Sequence, residues 1–199
     1  WYILRATSGT NTFERIDAEI PFEAQLGDAV TLADPRGPRI GDVNGDGRQD
    51  IVFGWGDVSP DSNVGVILQS AGGVLGAIKT MSTLDYPESI VIADVDSDGR
   101  NDIVVTHEYQ ASVSLYRQKS DGTLMSEERF HSVGAGWGRN ALAVGDINGD
   151  GVNDIVYGPH WYAGPDFKKA SEFYPPKPQN REGYADNFFN WIYDFDGDG

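Results

Sequence analysis

Four acidic phrases recur in this 199-residue sequence: DVNGDGRQD from Asp42, DVDSDGRND from Asp94, DINGDGVND from Asp146 and a shorter DFDGDG from Asp194. Each places side-chain oxygens at its first, third and fifth positions, and the three complete copies add an aspartate at the ninth. The glycine at the sixth position tolerates a left-handed backbone, which folds the chain around a point. The main-chain carbonyl at the seventh position can then face inward. Hard oxygens in this number suit Ca²⁺, which takes about six to eight of them at roughly 2.3–2.6 Å. Mg²⁺ demands stricter octahedral geometry and sheds water reluctantly. Zn²⁺ would want the histidine or cysteine that these loops lack. The spacing therefore predicts three complete Ca²⁺ sites. The first is Asp42, Asn44, Asp46, Arg48 (main chain) and Asp50; the second is Asp94, Asp96, Asp98, Arg100 (main chain) and Asp102; the third is Asp146, Asn148, Asp150, Val152 (main chain) and Asp154. Asp194, Asp196 and Asp198 make a partial fourth site, whose seventh and ninth positions lie outside the sequence.

Two other readings of the loops are weaker. An EF-hand needs a bidentate glutamate at its twelfth position and flanking helices, whereas that position here is Phe53, Val105 or Tyr157, each inside an expected strand. Asp, Asn and Gly also make good turns with no ion, which accounts for one copy but not for three in register. Charge agrees with the ion. The loops hold three, four, three and three acidic residues, thirteen of the chain's 31, and without them the formal charge of −16 would be −3. Carboxylates gathered this closely repel one another unless a cation sits among them. A nucleic-acid partner is disfavoured, because it would need a basic stripe that the sequence does not show.

The elements that must position these loops repeat with them. The first aspartates are spaced by 52, 52 and 48 residues, and a period of about 50 residues is that of a propeller with one blade per repeat. After each complete loop comes a β-branched or aromatic run, DIVFG, DIVVT or DIVYG, and before it a shorter one, RIG, SIVIA or ALAVG. Such runs read as strands. Ile51, Phe53, Ile103, Val105, Ile155 and Tyr157 alternate with Val52, Val104 and Val156, so both strand faces are apolar, as in a blade packed between two neighbours. Third strands are expected at VGVILQ and VSLYRQ, and fourth strands near LGAIKTM and SEERFHSV. The third repeat continues into a proline-rich stretch that reads as a long loop on one rim.

The expected fold is all-β: a single β-propeller of about four blades, each a four-stranded antiparallel sheet, with the Ca²⁺ loop between the first two strands of each repeat. Its parts are a partial blade over 1–38, repeats over 39–90, 91–142 and 143–192, and the start of a closing blade over 193–199. YILRATSGT aligns with the third strands, so the chain ends would share one blade from which about 15 residues are missing. Either a neighbouring copy completes that blade, giving an oligomer or filament, or the 199 residues are an excerpt of a longer chain.

GDVNGDGRQDIVFG, ADVDSDGRNDIVV and GDINGDGVNDIVYG resemble FG-GAP/VCBS repeats, the calcium-binding β-propeller repeats also found in integrin α-subunit heads. The resemblance covers nearly the whole chain. It implies a propeller with calcium between two blade strands, and a location outside the cytoplasm, extracellular or at the cell surface. Members of this family often have seven or eight blades, which 199 residues cannot supply.

Other chemistry is sparse. There is no cysteine, so no disulfide framework, and no apolar run of the roughly 18 residues that a membrane helix needs. The start, WYILRATSGT, lacks the pattern of a secretion signal, so a secreted form would already have lost it. Nucleophile-elbow, zinc-protease and P-loop motifs are all missing. His107 and His131 sit near expected strands with no Ser or Cys motif beside them. His160, Trp161 and Tyr162 are the most site-like cluster, read as blade packing ahead of sugar stacking. Phe188, Phe189 and Trp191 are read as packing of the last blade. The function expected is therefore non-enzymatic: a calcium-stabilised extracellular propeller acting as a structural scaffold or protein-interaction module. Its partners would be calcium and either other copies of itself or another extracellular protein. The alternative is a carbohydrate-binding lectin, or the propeller portion of a polysaccharide-active enzyme, with a glycan as ligand.

Overall fold

The structure is a computed structural model that describes residues 3–6, 13–16, 35–108, 110–131, 142–175 and 190–193. The chain divides into two compact units, Trp1–Ala33 and Asp34–Gly199. The first contains a hairpin of β1 (Ile3–Ala6) and β2 (Phe13–Ile16), paired antiparallel with Ile3 opposite Ile16.

The second unit holds three four-stranded antiparallel sheets in which sequence neighbours pair in order. Sheet 1 is β3 (Arg36–Gly41), β4 (Asp50–Trp55), β5 (Asn63–Gln69) and β6 (Leu75–Ser82). Sheet 2 is β7 (Pro87–Ala93), β8 (Asp102–His107), β9 (Ser112–Tyr116) and β10 (Glu128–His131). Sheet 3 is β11 (Leu142–Gly145), β12 (Asp154–Tyr157), β13 (His160–Tyr162) and β14 (Ala170–Glu172). In every sheet the acidic loop joins the first strand to the second. No helix occurs among the described residues, and hence none long and apolar enough to cross a membrane.

The apolar alternation decides how the sheets stack. Successive strand residues point to opposite faces. In β8, Ile103 and Val105 pack with Val43, Val52, Val64 and Val66 of the first repeat, while Val104 packs with Leu142, Ile155, Tyr157 and Phe167 of the third. Sheet 2 is thus packed on both faces between its neighbours, and β8 is buried along its whole length, as are β4 and β12. The fourth strands, β6, β10 and β14, are largely exposed. Close approach needs glycine at the end of β3 and of β11, whereas β7 ends in Ala93. A Cβ on Gly41 would stand 2.8 Å from Ile92 Cγ2, and one on Gly145 would stand 2.9 Å from Ile192 Cγ2. Ile92 and Ile192 each precede the first loop aspartate of their repeat by two residues, so the same step recurs at the third sheet.

Three features differ from the sequence reading. The described residues hold three four-stranded sheets and one hairpin, against an expectation of about four blades. The stretch read as a long loop after Gly158 supplies β13 and β14, because His160 and Tyr162 turn inward beside Phe167 and complete the sheet. Trp191 is 81 % exposed; in its segment it is Ile192 that packs. Phe188 and Phe189 lie outside the described residues.

Between sheets 1 and 2 lies a polar cluster that the sequence reading did not identify. Thr83 and Ser114 hydroxyls donate to Glu127 Oε1 at 2.9 and 2.6 Å, and Arg129 Nε donates to Glu127 Oε2 at 2.7 Å. His107 Nε2 lies 2.8 Å from Ser114 Oγ; since that hydroxyl donates to Glu127, the ring nitrogen is the donor. Although Ser114 and His107 form a serine–histidine pair, neither is exposed to solvent. Burial pushes the His107 pKa down to about 4, outweighing the opposing pull of Glu127. A histidine held neutral stabilises the fold above its unfolded pKa of about 6.5, and that contribution is lost as pH falls towards 4. The stability advantage of the parent over His107→Gln should shrink across this window by about 3 kcal/mol. Urea unfolding in chelator at pH 7 and pH 4.5 measures it; parallel profiles would show that His107 does not titrate with folding.

Candidate metal centre

Each acidic loop is wound around its first carboxylate. Asp42 Oδ1 accepts the N–H groups of Asn44, Gly45 and Asp46, and its Oδ2 accepts that of Gly47 at 2.8 Å. Asp94 accepts from Asp98 and Gly99, and Asp146 from Gly149, Asp150 and Gly151. The glycine at the sixth position has a φ of +78°, +84° or +84° in the three loops, the conformation that aims its N–H at the first residue. At Asp42 burial alone would raise the pKa, but the four N–H groups together hold it below the ordinary value.

The ninth residue ties each loop to its sheet. Asp50, Asp102 and Asp154 are fully buried. In each, Oδ2 accepts the N–H of the second loop residue, from Val43 at 3.1 Å, Val95 at 3.2 Å and Ile147 at 3.0 Å. The other oxygen accepts an N–H just beyond or at the end of the third strand, from Gln69 at 2.8 Å, Gln118 at 2.8 Å and Gly164 at 2.9 Å. Burial raises the pKa of Asp50, and it raises that of Asp102 to about 6, with Asp96 adding repulsion.

The fifth residue closes the loop by accepting the N–H of the seventh, at 2.9 Å in all three copies. The third residue distinguishes them. Asn44 and Asn148 each accept the fifth residue's N–H. Asp96 instead has one oxygen held by Arg117 at 2.6 Å, while its Oδ1 is buried with no hydrogen-bond partner. Oxygens of Asp94, Asp96 and Asp102 lie within 4.8 Å of one another. Two oxygens bound to one calcium ion are at most about 5 Å apart, so this donor set and the orphaned oxygen fit a hard divalent cation. Among the described residues this is the one such group of acidic side chains. Asp194, Asp196 and Asp198 lie outside the described residues.

Several functional contacts were not read from the sequence. The arginines at the seventh position, named there for their carbonyls, turn their side chains back: Arg48 pairs with Asp46 and Arg100 with Asp98. Their Nε groups donate to the carbonyls of Gln69 and Gln118. The third loop has Val152 here and no such guanidinium. Arg117, on Asp96, carried no signal, since it lies 21 residues further along the chain. His131 meets Ser112 at the open edge of sheet 2, while His160 and Tyr162 are buried within sheet 3.

The raised pKa of Asp102 has a sign that can be tested. Below about pH 6 its carboxyl holds a proton, and a cation must displace that proton to use it. Any cation affinity of the second loop should be full above pH 7 and fall as pH drops through 6. Calorimetry at pH 6 in two buffers of different ionisation enthalpy should register proton release on binding. Identical heats in the two buffers would exclude it.

Comparison with known proteins bears on the loops and the strands they join. No curated protein matches the chain. A family model described as an FG-GAP-like repeat matches residues 42–105 and again residues 94–157. Each match begins at the first aspartate of a loop and ends inside the second strand of the next repeat. Together they take in the three complete loops and more than half of the sequence: the chain belongs to the FG-GAP-like repeat family.

Proposed function

We propose that the protein is a calcium-stabilised β-propeller, working outside the cytoplasm as a non-enzymatic scaffold or protein-interaction module. FG-GAP-like repeats suggest a β-rich interaction module, and the calcium part rests chiefly on one observation. Asp96 Oδ1 is buried without a hydrogen-bond partner beside Asp94 and Asp102. A buried, unsatisfied carboxylate oxygen is costly, and an ion bound there would satisfy it. The Asp94, Asp96, Asp98 and Asp102 side chains with the Arg100 carbonyl would hold one ion, and the first and third loops would hold one each through their matching residues. The ion would supply charge neutralisation and crosslinking within the loop. Around it, the loop's own N–H groups already orient the first carboxylate, and the ninth anchors the loop to the sheet. Asp194, Asp196 and Asp198 repeat the first, third and fifth positions of the loop and would contribute to a fourth ion. A neighbouring copy that added oxygens to such a site would make calcium part of self-assembly.

Binding to the folded state alone stabilises it by about 2.7 kcal/mol per site at a hundredfold excess over Kd. EGTA should therefore lower the melting temperature by many degrees, calcium should restore it, and equal magnesium should restore little. Asp98→Ala should cost less than full chelation because it disables one site of several. An EGTA melt superimposable on the calcium melt would end the calcium reading. Sedimentation during the same titration tests assembly: an unchanged particle size while the fold softens would remove calcium from any contact between copies.

A further inference from the structure

The eighth position of each loop, which the ligand assignment does not use, holds Gln49, Asn101 or Asn153. Both asparagines reach back to the loop of the preceding repeat. Asn101 Nδ2 donates to the main-chain carbonyl of Asp42 at 3.0 Å, and Asn153 Nδ2 donates to that of Asp94 at 2.6 Å. Each bond spans 59 residues and ends on a first-position aspartate, the residue around which the receiving loop is wound. Other contacts close the same seams. Ser97 Oγ donates to the Gly151 carbonyl at 3.3 Å, joining the second loop to the third. Arg117 bridges Asp96 and the Pro165 carbonyl, the latter at 2.7 Å. Gly122, with φ +77°, lets the turn after β9 approach the first loop so closely that a Cβ would stand 2.5 Å from the Asn44 carbonyl oxygen. The first and second loops are thus each braced by the repeat that follows.

We propose that Asn101 and Asn153 are positioning residues that couple neighbouring cation loops, so that order in one loop raises the affinity of the loop before it. The proposal rests on the calcium reading above. Its physical path is short. The eighth residue lies between the seventh, which offers a carbonyl, and the ninth, whose carboxylate is buried. When the seventh and ninth positions are held around a cation, the backbone of the eighth is held too, and its amide stays on the carbonyl of the preceding loop's first residue. That residue then keeps its carboxylate at the centre of the loop. Linkage makes the effect reciprocal. One hydrogen bond of this kind corresponds to about three- to tenfold in affinity.

Calcium calorimetry on the full chain tests this in a protein whose first loop is disabled by Asp46→Ala. Compared with that parent, Asp150→Ala, which disables the third loop, should weaken the second loop about three- to tenfold, although it touches none of that loop's ligands. Asn153→Ala should weaken the second loop by a similar factor, and the two changes together should add little to either alone. A second-loop constant unmoved by Asp150→Ala overturns the coupling. So does an Asn153→Ala effect that simply multiplies with that of Asp150→Ala, since a merely structural asparagine would behave that way. Absence of any calcium heat in the parent overturns the calcium reading itself, and the coupling with it. If Asn153→Ala folds poorly, Asn101→Ala and Asp98→Ala, singly and together, repeat the test on the other bond, read at the intact first loop of a parent whose third loop is disabled by Asp150→Ala.

Discussion

The structure turns on a buried carboxylate at the first residue of each second strand. Asp50, Asp102 and Asp154 have no exposed surface, yet each meets two backbone N–H groups, one from the start of its loop and one from the end of the third strand or just beyond it. An ionisable side chain in that position is tolerable only with both partners in place. The loop, the first strand leading into it and the end of the third strand therefore cannot move independently. The same carboxylate stands one residue before the apolar run that fills the core, so the loop's geometry and the sheet's register are set together.

From that anchor the stacking follows. Every second strand presents apolar residues to both sides, so a sheet with only one neighbour would leave half of them in water. Burial of Ile103 and Val105 against the first repeat and of Val104 against the third is the period-two alternation at work between two partners. Gly41 and Gly145, each just before a loop aspartate, permit the close approach of Ile92 and Ile192. Because each loop occupies the same place in its repeat, stacking brings the loops side by side, and hydrogen bonds join the first to the second and the second to the third.

The assembled loops gather negative charge into a small region. Two kinds of compensation are visible. Backbone N–H groups converge on the first carboxylates, and guanidinium groups of Arg48, Arg100 and Arg117 engage the fifth or third. Neither reaches Asp96 Oδ1. The second loop, with four aspartates where the others have three and an asparagine, is accordingly the one that keeps a buried carboxylate oxygen without a hydrogen-bond partner.

The sequence by itself determined the repeat, the strand runs and the oxygen pattern of the loops, because these are local properties: a period, an alternation and the spacing of side chains around a glycine turn. It pointed to the family for the same reason. Other features escaped it. Ala170–Glu172 was legible only as a loop, since its strand exists through pairing with His160–Tyr162 and has no apolar alternation of its own. The double role of the ninth aspartate, the arginine on Asp96 and the asparagines at the eighth position were also invisible as contacts, although their letters repeat. Their partners lie between 7 and 59 residues away. Which carbonyl an asparagine faces is decided when one sheet packs against the next, and that distance is a property of the tertiary structure alone.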